Sequence, residues 1–308
     1  AGVGQAVRGV SLKVERGETV GIVGESGSGK TVTALSILGL VPDPPGRITG
    51  GSVKLDGDEL VGRPQRYLQS IRGDRIAMVF QDPFSSLNPT MTLGEQVAEP
   101  IRLHRGASRA QAKEQVLQLF RAVRLPSPEL RYRQYPHEVS GGQRQRVMIA
   151  IAFACDPNLL IADEPTTALD VTVQAQVLAL MAEMQKRSNT GILLITHDLG
   201  IVAEVCDRVL VMYAGAIVES APVGTLFRAP RHPYTVALLE SLPQLHGEKE
   251  RRLPSIPGQP PGLAKLPKGC PFFDRCSRRM PDICTDHEPA EASPEQDVRV
   301  RCFLYGEG

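Results

Sequence analysis

Gly24-Glu25-Ser26-Gly27-Ser28-Gly29-Lys30-Thr31 decides the reading of this chain. The pattern is G-x-x-x-x-G-K-T. Its glycines lack the Cβ atoms that would stop the backbone curling until successive N–H groups point inward at an anion. Lys30 adds a compact positive charge suited to the β and γ phosphates, and the Thr31 hydroxyl suits Mg²⁺. Upstream, the apolar run Thr19-Val20-Gly21-Ile22-Val23 reads as a buried strand, and Val32 to Leu40 reads as a helix ending near Pro42. The loop is therefore expected between the end of a strand and the positive dipole end of a helix, where a nucleoside triphosphate is held.

A second landmark is Leu159-Leu160-Ile161-Ala162-Asp163-Glu164, an apolar run that ends in two carboxylates. It reads as a central strand delivering acids to the carboxyl edge of a parallel sheet. Asp163 is expected to hold Mg²⁺ directly or through water, and Glu164 to polarise the water that attacks the γ phosphate. Between the two landmarks lies Val139-Ser140-Gly141-Gly142-Gln143, followed by Arg144-Gln145-Arg146 and the apolar Val147-Met148-Ile149-Ala150-Ile151-Ala152. A serine and two glycines at a helix start form another anion-binding terminus. One nucleotide in one loop has no use for it, so two phosphate sites in a chain imply two chains.

With these residues in place, the sequence resembles the ATP-binding subunits of ABC transporters, whose signature L-S-G-G-Q here reads Val139-Ser140-Gly141-Gly142-Gln143. The resemblance covers most of the first 235 residues. It implies an α/β fold: a P-loop nucleotide-binding domain of the ABC type with an antiparallel β subdomain and a helical signature subdomain. Gln81 in Val79-Phe80-Gln81-Asp82-Pro83 matches the Q-loop, Ala168-Leu169-Asp170 the D-loop, and His197 in Ile195-Thr196-His197-Asp198 the switch histidine. Taken singly, Gln81 after a strand from Arg75 to Phe80 would be an ordinary polar loop residue, and His197 a strand-end surface residue; their joint order gives them weight. By this resemblance ATP is held by Gly24, Glu25, Ser26, Gly27, Ser28, Gly29, Lys30 and Thr31, and Mg²⁺ by Thr31, Gln81 and Asp163. Hydrolysis falls to Glu164, His197 and Gln81. Ser140, Gly141, Gly142 and Gln143 serve the ATP of a partner chain bound head to tail.

Finer wording points to a branch. Phe80-Gln81-Asp82-Pro83-Phe84-Ser85-Ser86-Leu87-Asn88-Pro89, Tyr135-Pro136-His137-Glu138 and the stretch from Asp163 to Gln176 resemble the oligopeptide, dipeptide and nickel uptake branch. Arg231-His232-Pro233-Tyr234-Thr235 is similar to the start of that branch's C-terminal extension, and Leu160 to Thr167 resembles its D-type ATPase rather than the F-type. The resemblance implies an importer subunit at the cytoplasmic face of the membrane. Its partners would be a second ATPase subunit, the F-type paralogue, two permeases and an extracytoplasmic solute-binding protein; the choice of solute lies with the permeases and binding protein. A soluble ABC ATPase acting on nucleic acid or ribosomes shares the nucleotide motifs. Against it, 35 basic and 34 acidic residues leave no global field for nucleic acid, and no basic linker or inserted coil is seen. No apolar run reaches the roughly 20 residues that span a bilayer.

Along the chain, residues 1–91 are expected to hold the loop and antiparallel subdomain, 92–154 the helical signature subdomain, 155–235 the rest of the ATP-binding core, and 236–308 the extension. Val10-Ser11-Leu12-Lys13-Val14 reads as an early strand, and Gly50 to Gly57 as a strand ending in an Asp56-Gly57 turn. Leu93, Val97, Ile101, Val116, Leu119, Phe120 and Val123 recur at helical spacing, Ser108 is a candidate N-cap, and a helix is expected from Val171 to Lys186. The family's adenine-stacking aromatic and a further strand lie upstream of the loop. No aromatic precedes Tyr67, so the native N-terminus is expected upstream of Ala1.

The last seventy residues differ in kind. Pro254, Pro257, Pro260, Pro261, Pro267, Pro271, Pro281, Pro289 and Pro294 disfavour long helices and central strands. Cys270, Cys276, Cys284 and Cys302 share this segment, whereas Cys155 and Cys206 read as core thiols. Disulfides are not expected in a cytosolic ATPase, so four cysteines in a segment too poor for its own core point to thiolate–metal ligation. The spacing contains no C-x-x-C knuckle, and a [4Fe–4S] cluster, zinc and no metal all remain open to it. In the peptide-importer branch this extension carries a [4Fe–4S] cluster in some members, and Gly269-Cys270-Pro271-Phe272-Phe273-Asp274-Arg275-Cys276 resembles that wording. By resemblance the cluster is the expectation, in a structural role.

Overall fold

The computed structural model describes residues 3–82, 86–167, 169–242, 255–262 and 264–306. Pro83, Phe84, Ser85, Ala168 and Pro254, named above, lie outside the described residues. The chain divides into two compact units: residues 14–19 with 34–195, and residues 1–13 with 20–33 and 196–308.

In the first unit, three parallel strands lie side by side, with β5 (Leu159–Asp163) between β4 (Ile76–Val79) and β6 (Gly191–Ile195). Their cores are unbroken apolar runs, as parallel strands covered on both faces require. Between β4 and β5 the chain forms helices Leu93–Arg105, Arg109–Ala122, Pro128–Arg133 and Gly141–Ala152. Ser108 does cap the second: its side chain accepts from the Gln111 amide and Gln111 reaches back to the Ser108 amide. Leu93, Val97, Ile101, Val116, Phe120 and Val123 are fully buried. Leu119 is only half-buried, and Leu117 takes an inward place instead. The helix expected from Val171 to Lys186 runs to Ser188, where Asn189 closes it in the left-handed conformation.

Two strand expectations need correction. The strand from Gly50 to Gly57 shrinks to β2 (Lys54–Leu55), paired through the Asp56-Gly57 turn with β3 (Asp58–Glu59). Glu59 contributes, because its carboxylate accepts the amides of Val53 and Val61 and the Ser52 hydroxyl, donors that a longer ladder would have used, while the Leu60 amide bonds both that carboxylate and the Val53 carbonyl. Those donors hold the Glu59 carboxyl down to about 2, the Ser52 hydroxyl contributing most. Residues Val10 to Val14 keep an alternation of half-buried and exposed positions but form no strand.

In the second unit, β1 (Thr19–Val23), from Val20 onward, runs parallel to β7 (Arg208–Tyr213), and β7 pairs antiparallel with β8 (Ala216–Pro222). The proline-rich extension then does what its composition argued against. Strand β10 (Val298–Val300) inserts between β8 and β9 (Ala292–Glu295), with Val298 and Val300 buried. Phe272 joins a core with Val23, Val211, Tyr213 and Tyr234, against which Cys270 and Cys276 pack. The extension thus shares the core of the phosphate-loop unit, and burial there supplies folding free energy.

The segment Arg231 to Thr235 opens the extension by a buried device. Glu219 of β8, itself 1% exposed, accepts the backbone N–H groups of Arg231 and His232, each at 2.8 Å. His232 Nδ1 accepts the Tyr234 amide at 3.0 Å and so caps helix Pro233–Glu240. No helix among the described residues is long and apolar enough to cross a membrane.

Candidate functional site

The phosphate loop joins β1 to helix Lys30–Ile37. Gly24 has φ 151°, and a Cβ there would lie 2.1 Å from the Met212 carbonyl oxygen. Gly29 has φ 106°, and a Cβ there would lie 2.4 Å from the Ala6 carbonyl oxygen. Only glycine suits either place, because the loop is pressed against the backbone of its own unit. Lys30, 6% exposed, donates through Nζ to the carbonyls of Gly24 at 2.6 Å and Glu25 at 3.0 Å. These bonds arch its ammonium over the loop. Ser28 Oγ is buried without a hydrogen-bond partner among the described residues, a donor left for a ligand. Together with the helix N-terminus, this donor set fits a triphosphate.

The next residue out is held from two sides. Tyr234 OH accepts the Glu25 amide at 2.9 Å, and Arg275 of the extension grips the Glu25 carboxylate with two bonds, at 2.6 and 2.8 Å. The Arg275 side chain is 5% exposed, against 28% for Glu25. Nε of the same guanidinium donates to the Pro257 carbonyl and Nη1 to Tyr213 OH, while its plane lies over the Tyr213 and Phe272 rings.

In the other unit, β5 ends in buried Asp163, and half-buried Glu164 follows it. Glu164 has φ 47°, a left-handed conformation fixed by its own N–H, which donates to the Ile195 carbonyl at 2.8 Å. Its Oε2 accepts from Gln81 Nε2 and from Thr167 Oγ1, both at 2.9 Å. Gln81, just beyond β4, is thus brought to Glu164. The next carbonyl in the chain, that of Pro165, accepts from the buried Gln145 side chain. The signature helix Gly141–Ala152 begins on Ser140, which forms a reciprocal capping box with Gln143. At Gly141 an added Cβ would meet nothing within 4 Å, so this terminus opens to space. Asp170 caps helix Val171–Ser188 by accepting the Val173 amide at 2.9 Å. His197, which belongs to the phosphate-loop unit, is exposed two residues beyond the end of β6.

Among the described residues, no group of three or more His, Cys, Asp or Glu is gathered closely enough to hold a metal ion. Cys270, Cys276, Cys284 and Cys302 nevertheless line one cavity with Phe272 and Phe303, with ≈ 330 Å³ of empty space, part of it open to solvent. Burial pushes the Cys270 thiol up to about 12 and raises those of Cys276 and Cys302. Cys155 and Cys206 stand apart, pushed up by burial to about 11 and about 12, as core thiols are.

Sequence reasoning missed three site residues. Arg275 lies 250 positions from Glu25, and Tyr234 lies 209. Gln145 reads as an exposed polar residue, although its place three and four residues before Met148 and Ile149 puts it on their buried stripe.

Comparison with known proteins agrees with this geometry. The chain matches the family described as ABC transporter over residues 7–167, and the oligopeptide/dipeptide transporter C-terminal region over residues 218–284. It is 50% identical over 298 residues to the oligopeptide transport ATP-binding protein OppD of Salmonella typhimurium, covering 97% of this chain and 88% of that protein. It is 52% identical over 300 residues to OppD of Bacillus subtilis, covering 97% and 84%. Among solved structures, the dimeric structure of MJ0796, a bacterial ABC transporter cassette, superposes with a TM-score of 0.63 at 30% identity, covering 71% of this chain and 90% of that one. A post-hydrolysis state of the same cassette, bound to ADP and Pi, matches equally.

Proposed function

The chain belongs to the ABC transporter family, and we propose that it is the ATP-hydrolysing subunit of an importer of oligopeptides or dipeptides, docked on permeases at the cytoplasmic face of the membrane. The observation that carries the substrate class is the pairing, in one chain, of a phosphate loop with the oligopeptide/dipeptide transporter C-terminal region at 218–284. Relatives named for oligopeptide transport match along almost the whole chain.

Residues Gly24 to Thr31 seat the triphosphate, and Lys30 exchanges its loop carbonyls for phosphate oxygens. Thr31, Gln81 and Asp163 would hold the magnesium ion, which neutralises phosphate charge when bound. Glu164 orients the attacking water and takes its proton, with Gln81 fixing the carboxylate and His197 addressing the γ phosphate. Ser140, Gly141, Gly142 and Gln143 serve the nucleotide of a second ATPase subunit, an F-type paralogue, and Asp170 lies beside that interface. Residues 92–154 carry the signature as one helical part. Closure of the two ATPases on ATP drives the permeases, which receive peptide from a solute-binding protein.

The four extension cysteines would hold a [4Fe–4S] cluster in a structural role. What supports this reading is that all four line one cavity. Affinity purification of the chain from its native membranes tests the assignment: two permeases and a second ATPase should accompany it, and recovery with ribosomes or nucleic acid instead would overturn it.

A further inference from the structure

Glu25 places a carboxylate on the loop that must receive a polyanion, and its own carbonyl lies 3.0 Å from Lys30 Nζ. Left unpaired, that charge would repel each phosphate the loop admits. The structure pairs it from a distant part of the chain. Arg275 ends the short turn Phe273–Arg275, which Cys270 and Cys276 flank, and its side chain makes four hydrogen bonds: to Pro257, to Tyr213 and two to Glu25. A guanidinium so held presents its fork without further loss of freedom, and a bidentate carboxylate pair is the strongest use of that fork.

We propose that the cysteine-bearing extension completes the phosphate site, with Arg275 as a positioning residue that neutralises Glu25 and so sets the loop's affinity for nucleoside di- and triphosphates. This rests on the ATPase reading above and adds a reason for the extension to be joined to the nucleotide unit. The alternative is that the ion pair only anchors the extension. The two differ in the sign expected at Glu25. Neutralisation makes the unpaired carboxylate the harmful state, whereas anchoring makes loss of either partner equally harmful.

The test is equilibrium titration of the full chain with Mg-ATP and with Mg-ADP, at low and high salt, for the wild type, Arg275→Met, Glu25→Gln and the double variant. Arg275→Met should weaken ATP binding on the order of tenfold, weaken ADP binding less because it carries less charge, and recover part of the loss at high salt. Glu25→Gln should tighten ATP binding, and adding it to Arg275→Met should restore affinity to within about twofold of wild type. The double variant guards against misfolding, since restored affinity requires a folded loop. Unchanged affinity in Arg275→Met, or a double variant as weak as Arg275→Met alone, would overturn the proposal while leaving the ATPase reading standing. Absence of ATP binding by the wild type would overturn both.

Discussion

Gln81 donates its side-chain amide to Glu164 Oε2 at 2.9 Å, across 83 positions of chain. The amide holds one carboxylate oxygen, with Thr167 on the same atom. Glu164→Gln should therefore keep ATP affinity, trap the ATP-bound dimer and lower kcat about a hundredfold or more, whereas Lys30→Ala should weaken nucleotide binding itself. Steady-state hydrolysis and equilibrium binding separate the two, and normal turnover in the Gln variant would remove Glu164 from its role.

Gln145 ties the signature helix to the turn after Glu164 through the Pro165 carbonyl. Gln145→Leu should leave that carbonyl unsatisfied, cost about 1–3 kcal/mol of stability, and reduce kcat more than KM by loosening the backbone that positions Glu164. Denaturant melts and ATPase kinetics on the same preparation check this. A stability loss with kcat unchanged would confine Gln145 to folding.

His232 gives a pH dependence with a definite sign. Burial pushes its imidazole down to about 3 from an ordinary 6.5, so the folded chain keeps it neutral while the unfolded chain protonates it near 6.5. Its contribution is complete above pH 6.5 and is lost as pH falls from there toward 3, at no more than about 1.4 kcal/mol per pH unit. Glu219, raised by burial, has the opposite sign and loses its contribution as pH rises above its ordinary value of 4.5. Comparing His232→Gln with wild type isolates the histidine. Wild-type Tm should fall more steeply than that of the variant between pH 7 and 5, and parallel curves would contradict the assignment.

Protein purified without oxygen should be brown, with iron and sulfide each near four per chain by the cluster's own stoichiometry. Serine at any one of Cys270, Cys276, Cys284 or Cys302 should bleach it and increase cleavage of the extension by protease. Because β10 and Phe272 share the core of the loop unit, these variants should still fold there. Colourless protein with one zinc would favour a single-ion site, and metal-free protein with a protected extension would reject ligation.

The motifs and buried strands of this fold were legible because their causes are local. Thr19 to Val23 and Leu159 to Glu164 are each an apolar run beside functional residues; the structure keeps the first as a strand with those bounds and ends the second at Asp163, with Glu164 turned into the left-handed conformation. What stayed hidden depends on distant partners. Val298 to Val300 is too short to read as a strand until β8 is beside it, and Glu25 is an unremarkable loop letter until Arg275 arrives. The same holds for Glu59, whose carboxylate competes with a ladder that propensity alone would extend.

The claim that this ATPase powers peptide uptake is tested most directly by the ATP hydrolysis rate of the chain reconstituted in lipid vesicles with the permeases and second ATPase that co-purify with it. Peptide-loaded solute-binding protein should raise that rate several-fold over the unloaded form, with peptide accumulating inside the vesicles and Glu164→Gln abolishing both. Hydrolysis indifferent to peptide and binding protein, with no accumulation, would contradict the account.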